Sequence, residues 1–367
     1  MFAMDEKLKN VAKTMVDYSL KLESGQSVYL RVLGKDQFPL AVAVKEYCQE
    51  KGIRVEGKSE TMTMGHNDEM WRKMTPWGLA KLIKSAGAII DDNDATLSLR
   101  EDSTQVLKGY PFHARQVFIR KVLDGKILKK RWCLTTVPTR EFAQRNGVDY
   151  DELMETYIRA CGMDYDKMNQ ALKPLAERMA ATDRVKIIAP NTDLEFSIKG
   201  MAHEICAGNM NLPDGEIFTA PVKTSVNGHV QFNAPHLDNG TKHENIYLEF
   251  RDGKIIKESS TNTTQLTKTL NSDKGARYIG EFALGVNPHI TKPVGDTLYD
   301  EKIAGSFHLT PGNCYDEVPN GNKSGIHEDL VQIQTPEFGG GEIYFDGKLI
   351  RKDGIFVPED LHGLNTL

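Results

Sequence analysis

The feature that most constrains this chain is a change of character at Asp183. Before it, helix-like and strand-like segments alternate. Beyond it come short β runs, VKIIA, LEFSIKG, GEIFTAPV, NIYLEFRDGKIIKESS and GEIYFDGKLIRKDGIFV, separated by Gly, Asn and Asp. A βα alternation favours a parallel sheet covered by helices. Short β runs with Asp-Gly turns, as in Arg251-Asp252-Gly253-Lys254 and Phe345-Asp346-Gly347-Lys348, favour antiparallel hairpins. The chain therefore reads as an α/β N-terminal domain with a mainly parallel sheet over residues 1–182. A β-rich α+β C-terminal domain follows over 183–367.

Within the first half, residues 5–22 place Leu8, Val11, Ala12, Met15 and Leu20 on one helical face. Ser27 to Val32 and Ile53 to Glu56 read as strands, with a helix over 36–51 between them. Two helical stretches near 67–86 precede Ala88-Ile89-Ile90, which reads as a buried strand. Residues 104–130 read as mostly helical, Cys133 to Val137 as a strand, and 139–182 as helix-rich.

Several functions are excluded early. The net charge of −5 supplies no basic surface for nucleic acid. The longest apolar stretches are far too short for a membrane span. Asp5 and Glu6 interrupt an N-terminus with no apolar core segment, so no secretory leader is expected. The five cysteines are widely spaced and include no CxxC, which argues for reduced thiols and a cytoplasmic protein. No HExxH follows any of the His-Glu dipeptides at 203, 243 and 327, and no P-loop, GxGxxG or GxSxG occurs.

Eight of the ten histidines lie between 203 and 362. In Ser324–Val331 a turn runs into a strand, so His327 and Asp329 share a face and Glu328 points away. An imidazole beside a carboxylate suits a metal, although a surface pair is the plainer reading of these two alone. His308 sits in GSFHLTPGNCYDE, where a Pro-Gly-Asn turn could return Tyr315 towards it; a core His and a core Tyr would look the same. Glu216 and Glu281 lie in apolar β contexts, and a buried carboxylate must be paired, protonated or metal-bound. A salt bridge from Glu281 to Arg277 is the structural alternative.

Taken in order, LPDGEIFTAP, GEFALG, HLTPGNCY and HED resemble the aminopeptidase T family of thermophilic dinuclear metalloaminopeptidases. VAKTMVDYSLKLESGQSVYL is similar to that family's opening helix and strand, and NTDLEFSIKG to the start of its catalytic domain. The resemblance implies two divalent metal ions (Zn, Co or Mn) held by Glu216, Glu281, His308, His327 and Asp329. It implies Glu281 and Tyr315 as catalytic residues, a peptide substrate with a free N-terminus, and a homodimer. Two departures stand out: Thr310-Pro311 replaces small apolar residues, and only 18 residues separate His308 from His327. The alternatives are a dinuclear hydrolase of another amide or ester, and a non-catalytic dimeric scaffold of the same fold.

Overall fold

The computed structural model describes residues 2–33, 38–57, 75–100, 122–238 and 240–367. Two compact units emerge, one of residues 1–163 with 208–213, the other of 164–207 with 214–367. No helix among the described residues is long and apolar enough to cross a membrane.

The first unit is built on a parallel sheet. Its strands run Arg54–Glu56, Ser27–Leu33, Ala95–Arg100, Arg131–Thr136 and Asn211–Leu212 across the sheet, each parallel to its neighbours. The central strand is buried from Ala95 to Leu99, as expected where helices cover both faces. The first helix spans Phe2–Lys13 and runs on as a π-helical turn, Thr14–Ser19. The helix expected over 36–51 spans Phe38–Glu50.

One expected strand is corrected. Ala88-Ile89-Ile90 lies inside the helix Pro76–Asp92, which Thr75 caps by accepting a hydrogen bond from the Gly78 amide. Leu79, Leu82, Ile83, Ala86 and Ile90 pack into one cluster. That spacing belongs to a helical face, and the period outweighs the short apolar run. The helical expectations over 67–74 and 104–121 lie outside the described residues; residues 122–127 are helical.

The second unit holds two larger antiparallel sheets. Eight strands form one, with Arg184–Ala189, Thr192–Ser197 and Glu342–Phe345 near its middle. Both Asp-Gly hairpins belong to it, with Asp252 and Asp346 at positive φ followed by glycines. The other sheet has five strands: Leu330–Ile333, Ser306–Pro311, Ile279–Gly285, Glu216–Thr219 and His203–Cys206. Its four pairings are all antiparallel.

Side chains alternate along the strand Ile279–Gly285, so it has two different faces. Phe282 packs edge-on against Phe196 of the eight-stranded sheet, with ring centroids 4.9 Å apart. This is the core face. Glu281, Ala283 and Gly285 look the other way, and that face carries the candidate site.

Candidate metal centre

Strand register brings the five expected ligands together. Gly285 pairs with Glu216, and Ala283 pairs with His308. Paired residues in an antiparallel sheet share a face. Glu216 and His308 therefore project beside Glu281, with the small residues Ala283 and Gly285 leaving room between them. On the far side His308 pairs with Val331, and Gly312 bridges to His327. The same register places Asp329 opposite Thr310, whose hydroxyl donates to Asp329 Oδ1 at 2.6 Å.

Glu281 lies at the centre. Its Oε1 is 3.2 Å from His308 Nε2, and its Oε2 is 3.4 Å from His327 Nε2. Glu216 Oε2 lies 3.8 Å from His308 Nε2, and Asp329 Oδ1 lies 3.3 Å from His327 Nε2. The five expected ligands form two clusters, Glu216, Glu281 and His308 in one and Glu281, His327 and Asp329 in the other, and Glu301 makes a further one with His308 and Asp329. Glu281 belongs to both of the first two. The expectation that His327 and Asp329 point one way and Glu328 another matches the geometry; Glu328 instead meets His236 Nε2 at 2.8 Å.

Two glycines let the surrounding backbone come close. A side chain at Gly280 would strike the Asn313 carbonyl at 2.3 Å. That carbonyl is 2.8 Å from His327 Nδ1, which fixes the tautomer and leaves Nε2 for a cation. A side chain at Gly285 would strike the Ile303 carbonyl at 2.5 Å. The close approach there carries Lys302 into the site.

Lys302, Glu301 and Asp214 were not expected from the sequence. The Lys302 ammonium is 2.5 Å from Glu216 Oε1, 2.8 Å from Glu301 Oε1 and 3.4 Å from Asp214 Oδ1. Asp300-Glu301-Lys302 reads in sequence as a charged surface turn, and Asp214 as a turn residue. Only their neighbours, distant in sequence, reveal them. The alternative partner for Glu281 is corrected: Arg277 makes a two-pronged ion pair with Glu258, both bonds at 2.9 Å.

The electrostatics are those of a crowded, dry cluster. Burial alone would depress His308, but the Glu281 hydrogen bond and the Glu216 charge outweigh it and raise its pKa to about 9. His327 is likewise pulled down by burial and pushed up further by Asp329 and Glu281, to about 12. Burial would raise Asp329 and Glu281, yet the two imidazoles hold both below the ordinary carboxylate range. Burial raises Glu216 and Glu301 against the opposing pull of Lys302. Lys302 keeps its proton because Glu216, Glu301 and Asp214 overcome the effect of burial.

Tyr315 sits at the rim, 45% exposed. Its ring meets His327 edge-on at 4.8 Å and Phe218 at 5.5 Å. The turn was expected to return Tyr315 towards His308; the imidazole its ring meets is instead that of His327.

The donor set fits a divalent cation. Glu216 Oε2 and His308 Nδ1 are sealed from solvent with no hydrogen-bond partner among the described residues. Imidazole nitrogens with carboxylate oxygens are ligands for zinc, cobalt or manganese.

Over 268 residues the chain is 27% identical to aminopeptidase 2 of Geobacillus stearothermophilus, covering 62% of this chain and 63% of that protein. Over 162 residues it is 33% identical to aminopeptidase T of Thermus aquaticus, covering 41% of this chain and 38% of that protein. The alignments thus span less than two thirds of these relatives' lengths. The solved structure of wild-type AmpT from Thermus thermophilus superposes with a TM-score of 0.77 at 21% identity, covering 96% of this chain and 99% of that one. A 2,5-dihydroxypyridine dioxygenase from Pseudomonas putida shares the fold at a TM-score of 0.61 and 15% identity, over 97% of this chain and 99% of that one. The pattern of one family runs through residues 4–335: the chain belongs to the thermophilic metalloprotease (M29) family.

Proposed function

We propose that this protein is a metal-dependent aminopeptidase that releases N-terminal amino acids from peptides at a centre for two divalent ions. The observation that carries the reading is Glu281, whose two oxygens face two different imidazoles at 3.2 and 3.4 Å. A carboxylate so placed could serve both ligand groups. Relatives named as aminopeptidases support the substrate class.

Glu216 and His308 would hold one ion, His327 and Asp329 the other, and Glu281 both. Ions bound there would polarise the scissile carbonyl and make water acidic near neutral pH. The protein's own residues supply the rest. Glu281 takes the proton lost by the attacking water and passes it to the departing amine. Tyr315 donates a hydrogen bond to the oxygen on which negative charge develops. Phe218 and His327 hold the Tyr315 ring between them. Asn313 orients His327, and Thr310 orients Asp329.

Five free cysteines, four of them buried, suit a reducing compartment and so the cytoplasm. The homodimer implied by the family resemblance belongs to the same proposal, and sedimentation tests it. Activity is tested with metal-stripped protein and a panel of aminoacyl-p-nitroanilides, with Zn, Co or Mn added back. Cleavage that depends on metal and disappears in Glu281→Gln is the expected result. Two ions bound without cleavage of any member would assign the site to a different amide or ester. Neither ions nor cleavage would leave the scaffold reading.

A further inference from the structure

We propose that the Lys302 ammonium is a built-in cation that occupies a third cation position beside the centre and fixes Glu216 as a one-oxygen ligand. This rests on the two-ion reading above. The lysine side chain is 2% exposed, and its ammonium touches Glu216, Glu301 and Asp214. Three protons on one nitrogen match three carboxylates. Ligand atoms of Cys206, Asp214 and Glu216 lie within 4.8 Å of one another. They make a set of one thiol and two carboxylates, one that could itself bind a cobalt or zinc ion.

The backbone is built to deliver the lysine there. Gly285 admits the carbonyls of Glu301 and Ile303, at 2.8 and 2.5 Å from where a side chain would begin. The Asn287 amide donates to the Lys302 carbonyl at 2.9 Å, and the Lys302 amide donates to Tyr299 at 3.0 Å. With Oε1 of Glu216 held by the ammonium, Oε2 remains, buried and without a hydrogen-bond partner among the described residues, facing His308. Lys302 therefore positions a ligand without touching substrate, and its charge closes the adjoining acidic pocket to a further ion.

Two substitutions separate these effects. Lys302→Ala removes the charge and opens the space. Cobalt bound per chain is expected to rise by one over the wild type, with a new cobalt–thiolate charge-transfer band that disappears when Cys206→Ser is added. Lys302→Met removes the charge but keeps the space filled. Its divalent affinity, measured by chelator competition, is expected to fall at least about tenfold because Glu216 is no longer held. A lysine that only offset surplus negative charge would give the opposite sign, since removing it makes the site more attractive to cations. An unchanged cobalt count in Lys302→Ala, or unchanged or tighter affinity in Lys302→Met, overturns the proposal. The wild-type count tests the two-ion reading separately, because only the increment over the wild type bears on Lys302.

Discussion

The strand Ala95–Arg100 of the first unit and the strand Ile279–Gly285 of the second are both buried along nearly their whole length. They bury different chemistry. The first hides hydroxyls, at Thr96 and Ser98, among aliphatic side chains. The second hides the Glu281 carboxylate, and its neighbouring strands add Glu216 and His308. A buried hydroxyl without a partner costs about 1–3 kcal/mol, whereas a bare buried charge costs far more. The first sheet can therefore be stable by packing alone. The second must offset its buried charge, here with two imidazoles and the Lys302 ammonium around the carboxylates, and that sets one face of its sheet apart.

The largest expected effect is on chemistry. Glu281→Gln keeps the size of the side chain but loses its charge and basicity. Turnover of an aminoacyl-p-nitroanilide should fall about 10²–10⁴-fold, the usual worth of a placed acid–base group. Circular dichroism should show the fold retained. Loss of less than tenfold would place the proton transfer elsewhere.

Next comes the response of each sheet to metal. Ions at about 1,000 times their dissociation constant stabilise a folded site by about 4 kcal/mol. Hydrogen exchange should show amides of Ile279–Gly285 protected by added zinc or cobalt, and amides of Ala95–Arg100 unchanged. Equal protection of both strands would remove the distinction between them.

A smaller effect is expected at Glu258, the closed counterpart of the site within the second unit. Its bond to Arg277, outweighing burial, holds the carboxyl below its ordinary 4.5. The stability this gives is fully present above pH 4.5 and is lost as pH falls through the depressed folded value. Glu258→Gln should cost about 2 kcal/mol near neutral pH and remove this part of the acid sensitivity, as measured by urea unfolding. No loss near neutral pH would show that this ion pair contributes nothing net.

The smallest effect is expected in the first sheet. The Thr96 hydroxyl is buried without a hydrogen-bond partner among the described residues. Thr96→Val keeps the shape and removes that group. Stability should stay level or rise by up to about 1 kcal/mol, with kcat/KM unchanged. A clear loss of stability would show that a hidden water or partner satisfies the hydroxyl.

The contrast also explains what could be read from the sequence. The passage from alternating helices and strands to short antiparallel β runs was legible because turn chemistry and hydrophobic period are local. Glu216 and Glu281 were legible because a lone charge in an apolar strand stands out. Ala88-Ile89-Ile90 misled because three apolar residues fit either element, and the capped helix around them settled it. Lys302, Glu301 and Asp214 were not legible: charged residues in turns are ordinary, and only sheet register and the glycine at 285 bring them inward. Thr310 looked like a mere departure from the family pattern, yet its hydroxyl holds Asp329.

The most direct test of the account is anomalous diffraction from crystals grown with zinc or cobalt. Two peaks are predicted on either side of Glu281, one beside Glu216 and His308 and the other beside His327 and Asp329. A single peak, or two peaks that Glu281 does not join, would contradict the two-ion centre.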